Sequence, residues 1–288
     1  MKISTSMGYA VEVAGSTYAV ASRMMKQAGF EGIDLGMYNW QETPEQFLTP
    51  QWREDKKAMA NAAKDAGLEI SQCHLPYYGG HLPLPGDGSY KAYEDFMLPM
   101  YERALEVCGE IGCHTAVMHP FFKTGDPDLT LEGNLCTVEK VMPLLKEYDI
   151  RLALENVYGK NYASSHMTCA EEILRVLEKC DGDWVGACIN TGHANIFGVH
   201  IGNMARKLQG RLFALHINGN AGKDEHLIPY TSSSWCELMD YRDFTAALHE
   251  IGYDGWYNLE IACGDLPECA IEPFYTYAAA VARGLSSL

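Results

Sequence analysis

Short apolar runs that end in a polar residue recur through this chain, each followed by a stretch of helical periodicity. That alternation restricts the fold more than any other feature. The runs are residues 2–7, 32–35, 68–74, 115–119, 150–157, 185–190, 212–218 and 256–260. Between them lie amphipathic segments. Val20, Met24 and Ala28 keep helical spacing over 16–27 and Gly29 stops them. Thr43-Pro44 opens a helical region that runs to Ala66-Gly67, and another spans 90–111. A helix ending near Tyr148 contains Pro143, where a kink or break is expected. Thr168-Cys169-Ala170-Glu171 reads as a capping box, Phe244, Ala247, Leu248 and Ile251 share one face of 241–251, and a last helix runs through Tyr275 to Arg283.

Eight strand–helix units without a linker or a composition shift predict an α/β fold, a (β/α)8 barrel closed on itself, with residues 1–288 as a single domain. An open doubly wound sheet is the alternative. No Gly-x-Gly-x-x-Gly or Gly-Lys-Ser/Thr turn supports it.

Composition narrows the partners. Apolar content of 47% and charged content of 21% are those of an ordinary soluble protein, and the net charge of −16 argues against a nucleic-acid partner. The first seven residues lack the apolar core of a signal peptide, and no run approaches membrane-spanning length. Ten cysteines are scattered without a Cys-x-x-Cys pair, so reduced thiols in a cytoplasmic protein are expected.

The run Ile150-Arg151-Leu152-Ala153-Leu154-Glu155-Asn156-Val157 places a carboxylate at the end of a strand buried on both faces, where charge is costly unless a metal or partner neutralises it. Its neighbours repeat the pattern: strands three to eight end in His74, His119, Glu155, Asn190 with His193, His216, and Glu260. One such histidine is ordinarily structural. Six consecutive strand ends converging on a barrel mouth point to a divalent-metal site of oxygen and imidazole ligands, suited to Mn, Zn, Co or Fe, with Mg allowed. Tyr38, Trp40, Tyr77, Tyr78, Phe121, Phe122, Tyr158 and Trp235 follow strands and would pack on the apolar face of a sugar, although for most of them packing of the loops is the simpler role. The Gly/Pro-rich stretch from Pro76 to Pro83 has the character of a lid.

Leu154-Glu155-Asn156, Asn190-Thr191-Gly192-His193, Leu215-His216-Ile217-Asn218, Asp224-Glu225-His226, Gly252-Tyr253-Asp254-Gly255 and Leu259-Glu260, in that order, resemble the xylose isomerase-like TIM barrel superfamily. That group includes sugar isomerases and epimerases and, more distantly, endonuclease IV. The resemblance implies one divalent metal, Mn foremost, on Glu155, Asn190, His216 and Glu260. Asn190 stands where the family has an aspartate, which lowers the charge of the site. It implies proton abstraction beside a ketose carbonyl through an enediolate, with Glu155 and Glu260 as the acid/base pair. His74, His119, His193, Asp224 and His226 would bind substrate. A small-molecule carbohydrate partner is implied, with no nucleic acid or membrane, and oligomers are common in such enzymes.

Three other readings remain open. A dehydratase or isomerase of keto-inositols or keto-glycosides shares the enediolate chemistry. An endonuclease IV-like phosphodiesterase matches the histidines, but the mouth loops offer mainly Lys123, Lys160 and Lys223 for phosphates. A non-catalytic sugar-binding barrel follows if Asn190 abolishes metal binding.

Overall fold

Each apolar run forms a strand, and all eight strands are parallel. The structure, a computed structural model, describes residues 1–12, 17–37, 44–77, 89–123, 125–158, 166–231 and 237–288. The strands are β1 (Ile3–Ser6), β2 (Gly32–Gly36), β3 (Glu69–His74), β4 (Thr115–Met118), β5 (Arg151–Glu155), β6 (Val185–Asn190), β7 (Leu212–His216) and β8 (Tyr257–Leu259). They pair in the order β7-β6-β5-β4-β3-β2-β1-β8. The ring closes between β7 and β8 at a parallel bridge of Ile217 with Leu259. There the Ile217 N–H donates to Asn258 O (2.9 Å) and the Glu260 N–H to Ile217 O (3.0 Å). This single-domain (β/α)8 barrel therefore closes at its C-terminal mouth, beside His216 and Glu260.

Helices fill the crossovers: α1 (Gly8–Glu12), α2 (Tyr18–Ala28), α3 (Pro44–Phe47), α4 (Pro50–Asp65), α5 (Tyr90–Glu110), α6 (Pro127–Glu147), α7 (Ala170–Leu177), α8 (Thr191–Ile196), α9 (Ile201–Leu208), α10 (Tyr241–Glu250) and α11 (Glu268–Ser286). Their ends follow local chemistry. The Thr17 hydroxyl caps α2 at the Val20 N–H, and Gly29, at φ 105°, ends that helix in the left-handed conformation. A carboxylate oxygen of Asp240 accepts from the N–H groups of both Arg242 and Asp243 to start α10.

Three local expectations are corrected. The segment after Pro44 is two helices, because Thr49 and Pro50 cap a fresh start. Helix α6 runs through Pro143 without a break, one of the two outcomes expected there, since the buried Val141 and Leu145 on either side hold both halves against the barrel. The capping box lies one residue later than Thr168–Glu171. Cys169 is the cap, and the Glu172 carboxylate accepts from the N–H and hydroxyl of Thr168, both at 2.7 Å.

The barrel interior is layered, because alternate residues of each strand face inward. At the N-terminal end large rings sit over glycines. A Cβ on Gly32 would lie 2.8 Å from the Trp256 ring, and one on Gly186 would lie 2.6 Å from the Phe213 ring and 2.4 Å from Arg211 O. The Arg151 guanidinium covers Phe213 at 4.7 Å. The middle layer is divided. Val117, Ala153, Cys188 and Ala214 make a small apolar cluster with Phe213. Opposite them stand the buried polar side chains Ser4, Asp34, Gln72 and Asn258. The top layer carries the chemistry.

Candidate active site and metal centre

Glu155 ends β5 and is fully buried. Its position follows from a side-chain lattice that ties successive strand ends together. Asn156 pairs with the backbone of Asn190, its Oδ1 accepting from Asn190 N (2.6 Å) and its Nδ2 donating to Asn190 O (3.0 Å). Across the next gap the Thr191 hydroxyl donates to Asn218 O (2.7 Å) and accepts from Asn218 N (2.9 Å). Gly192 makes room for this, since a Cβ there would sit 2.0 Å from Asn218 Oδ1. On β4's side, Asn134 of α6 clasps the backbone of Phe121 in both directions, at 3.0 and 2.7 Å, and so fixes the loop that follows His119.

This lattice settles which way the Asn190 amide points. The His193 backbone N–H is a donor only, and it lies 3.0 Å from Asn190 Oδ1, where Asn190 caps α8. Asn218 Nδ2 donates to the same oxygen at 3.1 Å. The Asn190 NH2 group therefore faces the carboxylates, donating to Glu155 Oε1 and Glu260 Oε2, each at 2.9 Å. Of the four residues that the resemblance groups around a metal, Glu155, Asn190, His216 and Glu260 do come together. Asn190 meets them through nitrogen.

Three histidines have one ring nitrogen committed to an acceptor. His74 Nδ1 lies 2.8 Å from Leu75 O, His193 Nδ1 2.8 Å from Asn156 O, and His216 Nε2 3.1 Å from Asp34 Oδ2. Carbonyl and carboxylate oxygens only accept, so in each neutral ring the other nitrogen carries the lone pair. Those lone pairs point at carboxylates. His74 Nε2 is 3.4 Å and His216 Nδ1 3.1 Å from Glu155 Oε2, and His216 Nδ1 is 3.5 Å from Glu260 Oε2. His119 Nε2 adds a third imidazole, 3.3 Å from Glu155 Oε2. Neither Glu155 Oε2 nor His216 Nδ1 has a hydrogen-bond partner among the described residues. A lone pair facing an anion inside a protein needs a cation between them, a proton or a metal. The donor set fits a divalent ion: His74, His119 and Glu155 lie within ligating reach of one another, as do His74, His216 and Glu260.

The electrostatics agree. Burial would raise the Glu155 pKa, but His216 and His119 outweigh it and hold the carboxyl well below its usual range. Burial likewise opposes charge on His216, yet Cys188, Glu260, Glu155 and Asp34 together carry its pKa well above the ordinary histidine value.

Beside this centre, the loops after β5 and β7 meet. Asp224 Oδ1 lies 3.0 Å from His226 Nε2 and 3.7 Å from His193 Nε2, and the Tyr158 hydroxyl donates to Asp224 Oδ2. These three groups make a separate ligand-spaced set, His193, Asp224 and His226. Despite burial, Glu260 and Asp224 push His226 up to about 9. Burial works against charge on Asp224 as well, but His193 and His226 hold its carboxyl far below its usual range.

Of the aromatic residues expected at the mouth, Tyr77 packs on His119 with ring centroids 4.3 Å apart, and Tyr158 stands edge-on to His193 at 4.9 Å. Phe121 instead joins the buried Tyr93 beneath the loop, centroids 5.0 Å apart. Tyr38, Trp40, Tyr78, Trp235, Lys160 and most of the expected lid lie outside the described residues. Sequence reasoning assigned no role to Asp34, Asn156 or Asn218. For Asp34 the signal was an acid inside the apolar run Ile33-Asp34-Leu35.

A family model described as xylose isomerase-like TIM barrel matches residues 23–282. No curated protein matches the chain by sequence. Among solved structures, a D-psicose 3-epimerase in the presence of D-fructose is similar at 15% identity and TM-score 0.75, with 100% of both chains covered. The D-psicose 3-epimerase of Clostridium cellulolyticum H10 with D-tagatose is similar at 16% identity and TM-score 0.73, over 100% of this chain and 98% of that one. A 3-keto-D-glucoside 4-epimerase from E. coli follows at 17% identity and TM-score 0.71, over 99% of both. At such identities the likeness is one of fold.

Proposed function

Because the chain belongs to the xylose isomerase-like TIM barrel family, we propose that it is a divalent-metal-dependent ketose epimerase or isomerase, one domain over residues 1–288. The observation that carries this reading is the convergence of the His74 and His216 lone pairs on Glu155 Oε2, beside the Asn190 bridge to Glu260. Glu155, His216 and Glu260 would hold the ion, Mn foremost and Zn, Co, Mg or Fe as alternatives, with His74 and His119 within reach and Asn190 contributing oxygen only if its amide turns over. When bound, such an ion supplies the positive charge that stabilises an enediolate as a carbon-bound proton leaves.

The chain's own groups do the rest. Glu260, at the edge of the mouth, removes a proton from one face of the carbon beside the carbonyl, and Glu155 serves the opposite face. The Asn190 amide donates to one oxygen of each carboxylate and so holds the pair in position. His193, Asp224 and His226 bind sugar hydroxyls from the side of the β7 loop, where Tyr77 and Tyr158 supply flat faces. The substrate is a small carbohydrate. The described cysteines are all free, which suits a cytoplasmic enzyme.

The test is solvent-deuterium exchange into a panel of ketoses and 3-keto-glycosides, with metal content measured on the same protein. Glu260→Gln is expected to slow exchange by about 100- to 10,000-fold, as for loss of a general base. About one ion per chain in the wild type, lost in Glu155→Ala, is also expected. Exchange in no sugar, with cleavage of abasic DNA instead, would overturn the reading.

A further inference from the structure

Asp34 lies one layer below the candidate metal centre, in the polar half of the barrel interior, 2% exposed. It comes from β2, on the opposite side of the barrel from β6. One of its oxygens, Oδ2, accepts from three donors: Gln72 Nε2 (2.9 Å), Asn258 Nδ2 (3.1 Å) and His216 Nε2 (3.1 Å). Asn258 is itself oriented, because the Ser4 hydroxyl donates to its Oδ1 at 2.7 Å. That bond leaves the Asn258 NH2 group to face Asp34. Apart from His216, the donors around Asp34 are neutral amides, and the group it acts on is the imidazole of His216.

Two consequences follow from chemistry alone. A carboxylate held as an acceptor at Nε2 keeps the proton of His216 on that nitrogen and the lone pair on Nδ1, the atom that faces Glu155 and Glu260. The same carboxylate makes Nδ1 a stronger donor to a cation, since negative charge behind the ring raises its basicity. Asn190 brings no charge to the site and turns its nitrogen toward the carboxylates. Besides Glu155 and Glu260, the buried acid that touches this set is Asp34, reaching the centre through the His216 ring rather than by direct contact.

We propose that Asp34 is a positioning residue: it fixes the tautomer of His216 from beneath and supplies, through that imidazole, the negative charge that Asn190 does not. This rests on the metal-binding part of the proposed function. Gln72 and Asn258 act with it by holding the carboxylate in place, and Gln72 also reaches Leu215 O (3.4 Å) at the residue before His216.

The experiment titrates metal-free full-length protein with Zn2+ by calorimetry, for wild type, Asp34→Asn, Asn190→Asp and the double variant. Nitrogen NMR of the His216 ring is recorded with Zn2+ and, at alkaline pH, without it. Asp34→Asn is expected to weaken Zn2+ binding by about 10- to 100-fold. Adding Asn190→Asp to that variant should restore most of the loss, a recovery that a merely structural role for Asp34 would not produce. In the wild type the ring should keep its proton on Nε2 in both samples. Unchanged Zn2+ affinity in Asp34→Asn, or a proton on Nδ1 in the wild type, would overturn the proposal. Should the wild type bind no Zn2+, the metal reading fails by itself, and the metal-free spectrum still decides the role of Asp34. That spectrum needs no variant, so the test survives if Asp34→Asn does not fold.

Discussion

Replacing Asn190 by aspartate exchanges an amide that bridges two carboxylates for a third carboxylate. Asn190 Nδ2 lies 2.9 Å from an oxygen of both Glu155 and Glu260. At that distance two like charges repel by about 6 kcal/mol each, at an effective dielectric constant near 20. Taking up a proton at pH 7 costs an ordinary aspartate only about 4 kcal/mol. In the metal-free protein the new carboxyl therefore protonates, and one of the two hydrogen bonds is lost besides, at about 2 kcal/mol. Its folded pKa is raised above the unfolded value, so the folded state holds the extra proton. The variant then loses stability relative to wild type as pH rises, by about 1.4 kcal/mol per pH unit. Urea denaturation of chelator-treated wild type and Asn190→Asp at pH 5, 6 and 7 measures this directly. The expected deficit is about 6 kcal/mol at pH 7 and about 3 kcal/mol at pH 5, and divalent metal should restore stability to the variant more than to wild type. A deficit below about 1 kcal/mol that does not change with pH would refute the bridging geometry.

Other expectations follow from the same contacts. In metal-free protein the raised pKa of His226, about 9, makes its contribution to stability fully present below the unfolded histidine value and lost as pH rises toward 9. Asp224→Asn should remove part of that pH dependence, measured as thermal stability across pH 6 to 10, and with it the acid-side contribution of Asp224's own depressed carboxyl, leaving that of Glu155. For Glu155 the sign is opposite: its depressed pKa gives stability present above the unfolded carboxylate value and lost on acidification, which Glu155→Gln should abolish. Gly186→Ala should destabilise by about 1–3 kcal/mol or more, because its Cβ meets Arg211 O and the Phe213 ring, and denaturant titration would show it.

Much of this protein was legible from its local pattern. Period-two and helical spacing are properties of a few neighbouring residues, so the eight strands and the main crossover helices could be read from the chain. The strand ends followed, because alternation dictates which residue of each strand faces inward at the mouth. The places of Glu155, His74, His119, His216 and Glu260 at strand ends were read in that way. Small misreadings had local causes too: Glu172 rather than Glu171 reaches back to Thr168, and Pro143 stays inside α6 because the barrel holds both of its halves.

Closure of the ring decided the rest. No spacing rule says that the Asn190 oxygen is taken by the His193 N–H, yet that one hydrogen bond turns the amide nitrogen toward two carboxylates 35 and 70 residues away. None says that Asp34 lies under His216, 182 positions later in the chain. Side-chain identity at each strand end is written in the sequence. Which nitrogen carries a proton, and which oxygen faces a lone pair, depends on partners that meet only when β7 and β8 come together, because hydrogen bonds are directional and act over about 3 Å.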